Sequence, residues 1–293
     1  MRAFCWFLAM IIAGLVGIAL FSYPAWILLH PHFAVPFHRV GERIGMLTLL
    51  IVFLLSARHL GVSDRGSLGY GIPKCAFVQD TLMGLLLGVI TMSGGVALMS
   101  GLGLLDWTPA DQLRPVTVAQ VIVLRLLSGL AVALIEETFI RGAMLTAIVR
   151  ESGPRAAVLL TSVLYSASHF LGSFHIAPAQ VSMASGVALL GGTLHLFADP
   201  LYILDAFACL FVVGVVLAIV RLTTGNIAAC LGLHAGWVWV MLVVHEMAHP
   251  RREAPFGYLL SRFDGFVGWL VLGWTVLLGF GLHALYTRRV RNL

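Results

Sequence analysis

Residues Leu126–Arg141 read LLSGLAVALIEETFIR: an unbroken apolar run that ends on two adjacent carboxylates, Glu136 and Glu137, with Arg141 one helical turn further on. An ionised carboxylate at bilayer depth costs several kcal/mol unless it is paired or faces a wet cavity, so acids placed there are retained for function. The stretch therefore sets the fold class, a membrane-crossing helix, and marks the first candidate functional residues.

The rest of the chain agrees with that reading. Of 293 residues, 60% are hydrophobic and only 11% charged, and the mean hydropathy is +0.98. Runs long enough to cross roughly 30 Å of hydrocarbon at 1.5 Å per residue recur from end to end. We expect an all-α polytopic transmembrane helical bundle of about eight spans: residues 4–29, 44–60, 78–105, 118–149, 156–171, 201–222, 227–248 and 266–286. The first has an apolar core too long for a signal peptide and no small-residue cleavage pattern after it, so it reads as an anchor. With no internal repeat and no Pro- or Ser-rich linker, the expectation is one membrane domain over residues 1–293. Arg125 lies two turns into the fourth span, close enough to the interface to snorkel toward water.

Orientation follows from the basic residues, because cytoplasmic loops keep positive charge. With an even number of spans and both termini inside, Arg2, Arg58, Arg65, Lys74, Arg150, Arg155, Arg221, Arg288, Arg289 and Arg291 gather on one side. Arg39, Arg43, Arg114, Arg251, Arg252 and Arg262 lie on the other, and the connection 172–200 holds no Lys or Arg at all. The net charge of +5 is then topology signal and attraction to a lipid surface, not a nucleic-acid footprint. Cys5, Cys75, Cys209 and Cys230 show no CxxC spacing and read as small packing residues.

On a helix Glu137 and Arg141 are neighbours, so the arginine holds one acid ionised. Glu136 points about 100° away around the axis and is left free to act. The next span ends in Tyr165-Ser166-Ala167-Ser168-His169, and the seventh carries His234 between Gly232 and Gly236; both set an imidazole among small residues that let another helix approach. One acid and two histidines on three spans suit the activation of a water, in which one group takes the proton and another steadies the oxyanion. They equally suit zinc with one open position, and residue types alone do not separate the two.

These segments resemble the three motifs of the CPBP family, the CAAX-processing and bacteriocin-processing intramembrane proteases also called ABI or type II CAAX proteases. Glu136 to Arg141 is similar to EExxxR, Tyr165 to His169 to FxxxH with Tyr for Phe, and His234 to the opening of HxxxN. The approach to the third motif, Phe211-Val212-Val213-Gly214, Arg221 and Thr224-Gly225-Asn226-Ile227, is similar as well, and the likeness covers residues 120–240. The resemblance implies an intramembrane endopeptidase acting on a membrane-associated or prenylated protein or peptide. Glu136 would activate water with His169 assisting, His234 would stabilise the oxyanion, and Glu137 and Arg141 would support Glu136. It also implies residence in a bacterial cytoplasmic membrane. The chain departs at Val238, where the family commonly has Asn. Valine cannot donate to an oxyanion, which turns attention to the indole N–H of Trp237 or Trp239.

Two other readings stay open. A non-catalytic membrane protein, an immunity factor or scaffold, would keep the polar cluster to bind a partner. A zinc protease would use His245-Glu246-Met247-Ala248-His249, an HExxH spelling in which two histidines one turn apart hold the metal. His234 and His245 are separated by roughly 16 Å along a helix and cannot share one ion. Asp80 and Asp205 lack a GxGD context, Met183-Ala184-Ser185-Gly186 misses GxSG by one glycine, and Gly84 with Gly88 forms a GxxxG that reads as helix packing.

Overall fold

The computed structural model describes residues 1–33, 35–109, 112, 114–171 and 174–291. Its helices are α1 (Arg2–Leu29), α2 (Phe37–Ser56), α3 (Lys74–Gly101), α4 (Pro115–Glu136), α5 (Leu145–Ser168), α6 (Ser185–His195), α7 (Pro200–Thr224), α8 (Ala228–Met247) and α9 (Trp269–Arg291), with a π-helical segment (Glu137–Met144) joining α4 to α5. Two three-residue strands, β1 (Leu105–Trp107) and β2 (Ala248–Pro250), pair antiparallel at one end. The protein is an all-α polytopic bundle.

Among the described residues six helices are long and apolar enough to cross a membrane, against about eight spans expected. The difference has two sources. Helix α2 has the length, but its first two turns carry Arg39, Glu42 and Arg43. The expected fourth and fifth spans form one continuous helical stretch, Pro115–Ser168. That stretch is not one rod: Gly153 adopts φ 83°, ψ 169° ahead of Pro154. Glycine reaches this region without a Cβ penalty, and proline has no N–H to continue the ladder, so the chain turns there into a second rod. Helix α6 was not anticipated; it lies in the 172–200 connection, of which Gly172 and Ser173 fall outside the described residues, and it packs on α1.

Helix α8 is the inner helix, packed on α3, α4 and α7, while α5 and α9 pack on α7 and α2 packs on α1. The outward faces carry large apolar side chains such as Leu55, Leu86, Leu124 and Phe280, the surface that lipid requires. At one end the Met1 ammonium sits 2.6 Å from Glu151, Arg150 donates to the Gly61 carbonyl at 2.6 Å, Gly69 accepts from Ile227 N at 3.1 Å, and Arg289 pairs with Asp80 at 2.6 Å. The segments that hold ten of the basic residues are thus gathered at one end. At the other, Arg251 N donates to Leu104 O at 2.8 Å and Arg262 N to Asp205 Oδ2 at 3.0 Å.

Candidate active site

The site is built where α4 gives way to the π-helical segment. Glu136 is the last α-helical residue and Glu137 the first of the wide turn, and single π turns concentrate at functional positions because they re-aim the side chains that follow. Here Glu137 faces inward with none of its side chain exposed, whereas 30% of the Glu136 side chain remains accessible.

Glu137 holds the cluster together. Its Oε1 accepts from Arg141 Nη1 at 3.0 Å and lies 2.9 Å from His234 Nδ1. A carboxylate cannot donate, so Nδ1 carries the hydrogen, and the reactive face of the ring is Nε2. Arg141 is fully buried and its Nη2 also reaches the Gly214 carbonyl on α7 at 3.5 Å. The expected i, i+4 ion pair is present.

Glu136 stands apart from this network. Its Oε2 is buried without a hydrogen-bond partner and lies 4.0 Å from His234 Nε2. A single water 2.8 Å or so from each atom spans that separation. Glu136, Glu137, Arg141 and His234, from α4, the π segment and α8, therefore come together.

His169 joins through Tyr165. It follows the last residue of α5, and its Nδ1 bonds to the Tyr165 carbonyl at 2.8 Å. Its ring meets the Tyr165 ring edge-on at 4.5 Å. Among the described residues no direct bond links His169 to Glu136 or His234. Tyr165 is the residue that sequence reasoning passed over, having read it as a stand-in for phenylalanine. Its hydroxyl lies 3.5 Å from His234 Nε2 and the Arg141 guanidinium covers its ring at 4.3 Å. The one available signal was the hydroxyl itself, a polar atom at a motif position that is otherwise apolar.

The substitute donors considered for Val238 are engaged elsewhere: Trp237 Nε1 donates to Thr91 Oγ1 and Trp239 Nε1 to the Ile122 carbonyl, each at 2.9 Å. Among the described residues no three His, Cys, Asp or Glu side chains are placed to hold a metal ion, and Glu137 Oε1 is already shared by two donors. The HExxH spelling is not a helical site either. Helix α8 ends at Met247, His249 stands in β2 opposite Asp106, His245 Nδ1 bonds back to the Met241 carbonyl at 2.9 Å, and Glu246 is paired with Arg125. The latter pair also shows that Arg125 is held between α4 and α8 by a partner.

Residues 118–240 match the family model described as type II CAAX prenyl endopeptidase, Rce1-like. No curated protein and no solved structure matches the chain.

Proposed function

We propose, from the match of residues 118–240 to the type II CAAX prenyl endopeptidase model, that the chain is an intramembrane endopeptidase that hydrolyses a prenylated or otherwise membrane-anchored substrate with a water activated by Glu136. The observation that carries this reading is the contrast between two adjacent acids. Glu137 is wholly buried and held through Oε1 by Arg141 and His234, its Oε2 being left without a partner, whereas Glu136 has 30% of its side chain accessible and a buried, unpartnered Oε2 4.0 Å from His234 Nε2.

The chemistry follows from those positions. A water held by Glu136 loses a proton to it while its oxygen bonds to the scissile carbonyl carbon, and the carbonyl electron pair moves onto oxygen. In its imidazolium form His234 would donate from Nε2 to that oxyanion while Glu137 anchors Nδ1. On collapse the C–N bond breaks and Glu136 returns its proton to the departing amine. A positioned base contributes about 10²–10⁴ in rate and each oxyanion donor about 10²–10³. His169, with Nδ1 occupied by the Tyr165 carbonyl, offers Nε2 as the assisting base.

A membrane-anchored substrate suits the depth of the cluster. His234 is six residues, roughly 9 Å, from the start of α8, at the bundle end that gathers the basic residues, and we assign that end to the cytoplasmic leaflet of a bacterial inner membrane with both termini inside. The whole chain is taken as one membrane domain around the 118–240 core.

The test is to incubate purified protein in lipid nanodiscs with a farnesylated CAAX-type peptide and weigh the products. Two fragments whose masses sum to the substrate plus one water support the reading. Val238, lacking a donor, is what favours a non-catalytic binding protein instead, and peptide that is bound yet stays intact at enzyme excess would establish that alternative.

A further inference from the structure

The reaction just proposed leaves an oxyanion with one imidazole donor, since Val238 has none to offer and the indoles of Trp237 and Trp239 are bound to Thr91 and Ile122. Resting on that reading, the geometry points to Tyr165 as the second oxyanion donor, a catalytic residue that replaces the missing amide from a different helix.

Three observations carry this. The first is position: the Tyr165 hydroxyl lies 3.5 Å from His234 Nε2, and an oxygen about 2.8 Å from both atoms closes the triangle at ordinary hydrogen-bond lengths. The second is preorganisation. Tyr165 is 2% exposed, with the Arg141 guanidinium 4.3 Å over its ring, the His169 ring edge-on at 4.5 Å and the His234 ring at 5.9 Å. A phenol clamped on these sides keeps its O–H aimed without the reorientation a free side chain would need. The third is under-use. The contact to Nε2 is at the long limit for a hydrogen bond and is the hydroxyl's only hydrogen bond among the described residues, so a developing anion is the stronger acceptor.

In the step itself the phenol donates a hydrogen bond to the carbonyl oxygen as negative charge builds there, and its proton stays on Tyr165. The water's proton still goes to Glu136, so the tyrosine changes no stoichiometry. Arg141 gains a second role, because the cation over the ring both packs it and favours partial negative charge at its oxygen.

Tyr165→Phe removes only the hydroxyl and keeps the ring between Arg141, His169 and His234. With a farnesylated peptide the variant is expected to lose roughly 10²–10³ in kcat with KM within a few-fold and the thermal midpoint unchanged. Adding Val238→Asn, one turn along α8 from His234, supplies an amide donor and is expected to recover at least about tenfold of that loss. Glu136→Gln assayed beside them separates the two ideas. Activity that is lost in Glu136→Gln but within about threefold of wild type in Tyr165→Phe overturns the tyrosine role and leaves the glutamate chemistry standing. A Tyr165→Phe loss that comes with a lowered midpoint, or that Val238→Asn does not relieve, also overturns it. A wild-type protein that cleaves nothing overturns both.

Discussion

Glu137 Oε1 lies 2.9 Å from His234 Nδ1, an acid on one helix fixing the orientation of an imidazole on another. The same oxygen takes the Arg141 guanidinium at 3.0 Å. Both partners are withdrawn from solvent, which makes the pair costly to break. Removing one member of a buried pair leaves an uncompensated charge and costs about 3–5 kcal/mol. Glu137→Ala is therefore expected to lower the thermal midpoint in detergent markedly and abolish cleavage together, measured by unfolding scans and peptide turnover on the same preparation. A folded, unshifted and active variant would contradict the anchoring role.

Helix α8 is held against α3 with almost no space between backbones. A Cβ on Gly84 would lie 2.5 Å from the Ala229 carbonyl and one on Gly88 2.5 Å from the Leu233 carbonyl, while a Cβ on Gly232 would run into the Thr81 carbonyl. Gly232→Ala must push α8 away from α3, carrying His234, two residues on, with it. A displacement near 1 Å at a reacting group costs on the order of 10²-fold, and we expect that loss in kcat/KM. Turnover equal to wild type would show that His234 is not position-critical.

The apolar runs were legible because lipid leaves a helix no alternative to continuous hydrophobic length, and the Glu137–Arg141 pair because four residues make one turn. Even the break at Gly153-Pro154 was marked by residue type. Other features depend on contacts between distant segments. The π turn at Glu137–Met144 has no local signature, since an i→i+5 ladder is selected by what the widened turn packs against. Tyr165 could be assigned a role only once α5, α8 and the π segment were placed around it, and the indoles of Trp237 and Trp239 were removed from consideration only by finding Thr91 and Ile122 as their acceptors.

The HExxH spelling makes a separate prediction. With His249 in a strand and Glu246 tied to Arg125, His245→Ala and His249→Ala are expected to change cleavage by less than about twofold. The half-exposed Arg125–Glu246 pair contributes about 1 kcal/mol or less. Loss of activity in either histidine variant, accompanied by loss of bound zinc, would restore the metal reading.

Acid sensitivity is expected from the connection between α2 and α3. Asp64 accepts from the Ser67 hydroxyl and from Ser67 N at 2.9 Å, and these bonds, the hydroxyl first, hold its carboxyl below the usual carboxylate range. A lowered folded value means that the contribution is fully present above the ordinary value near 4 and is lost as pH falls through the lower folded one. Asp64→Asn should thus lower the thermal midpoint at pH 7, with the difference from wild type closing below about pH 4. A difference that persists unchanged at pH 3 would contradict the assignment.

The central claim is that Glu136, not its neighbour, takes the proton from the attacking water. Its most direct test is the initial rate of cleavage of a farnesylated peptide by Glu136→Gln, an isosteric change that removes the base and preserves the packing. The account predicts a rate at least about 10²-fold below wild type with an unchanged thermal midpoint. Cleavage at the wild-type rate would contradict it.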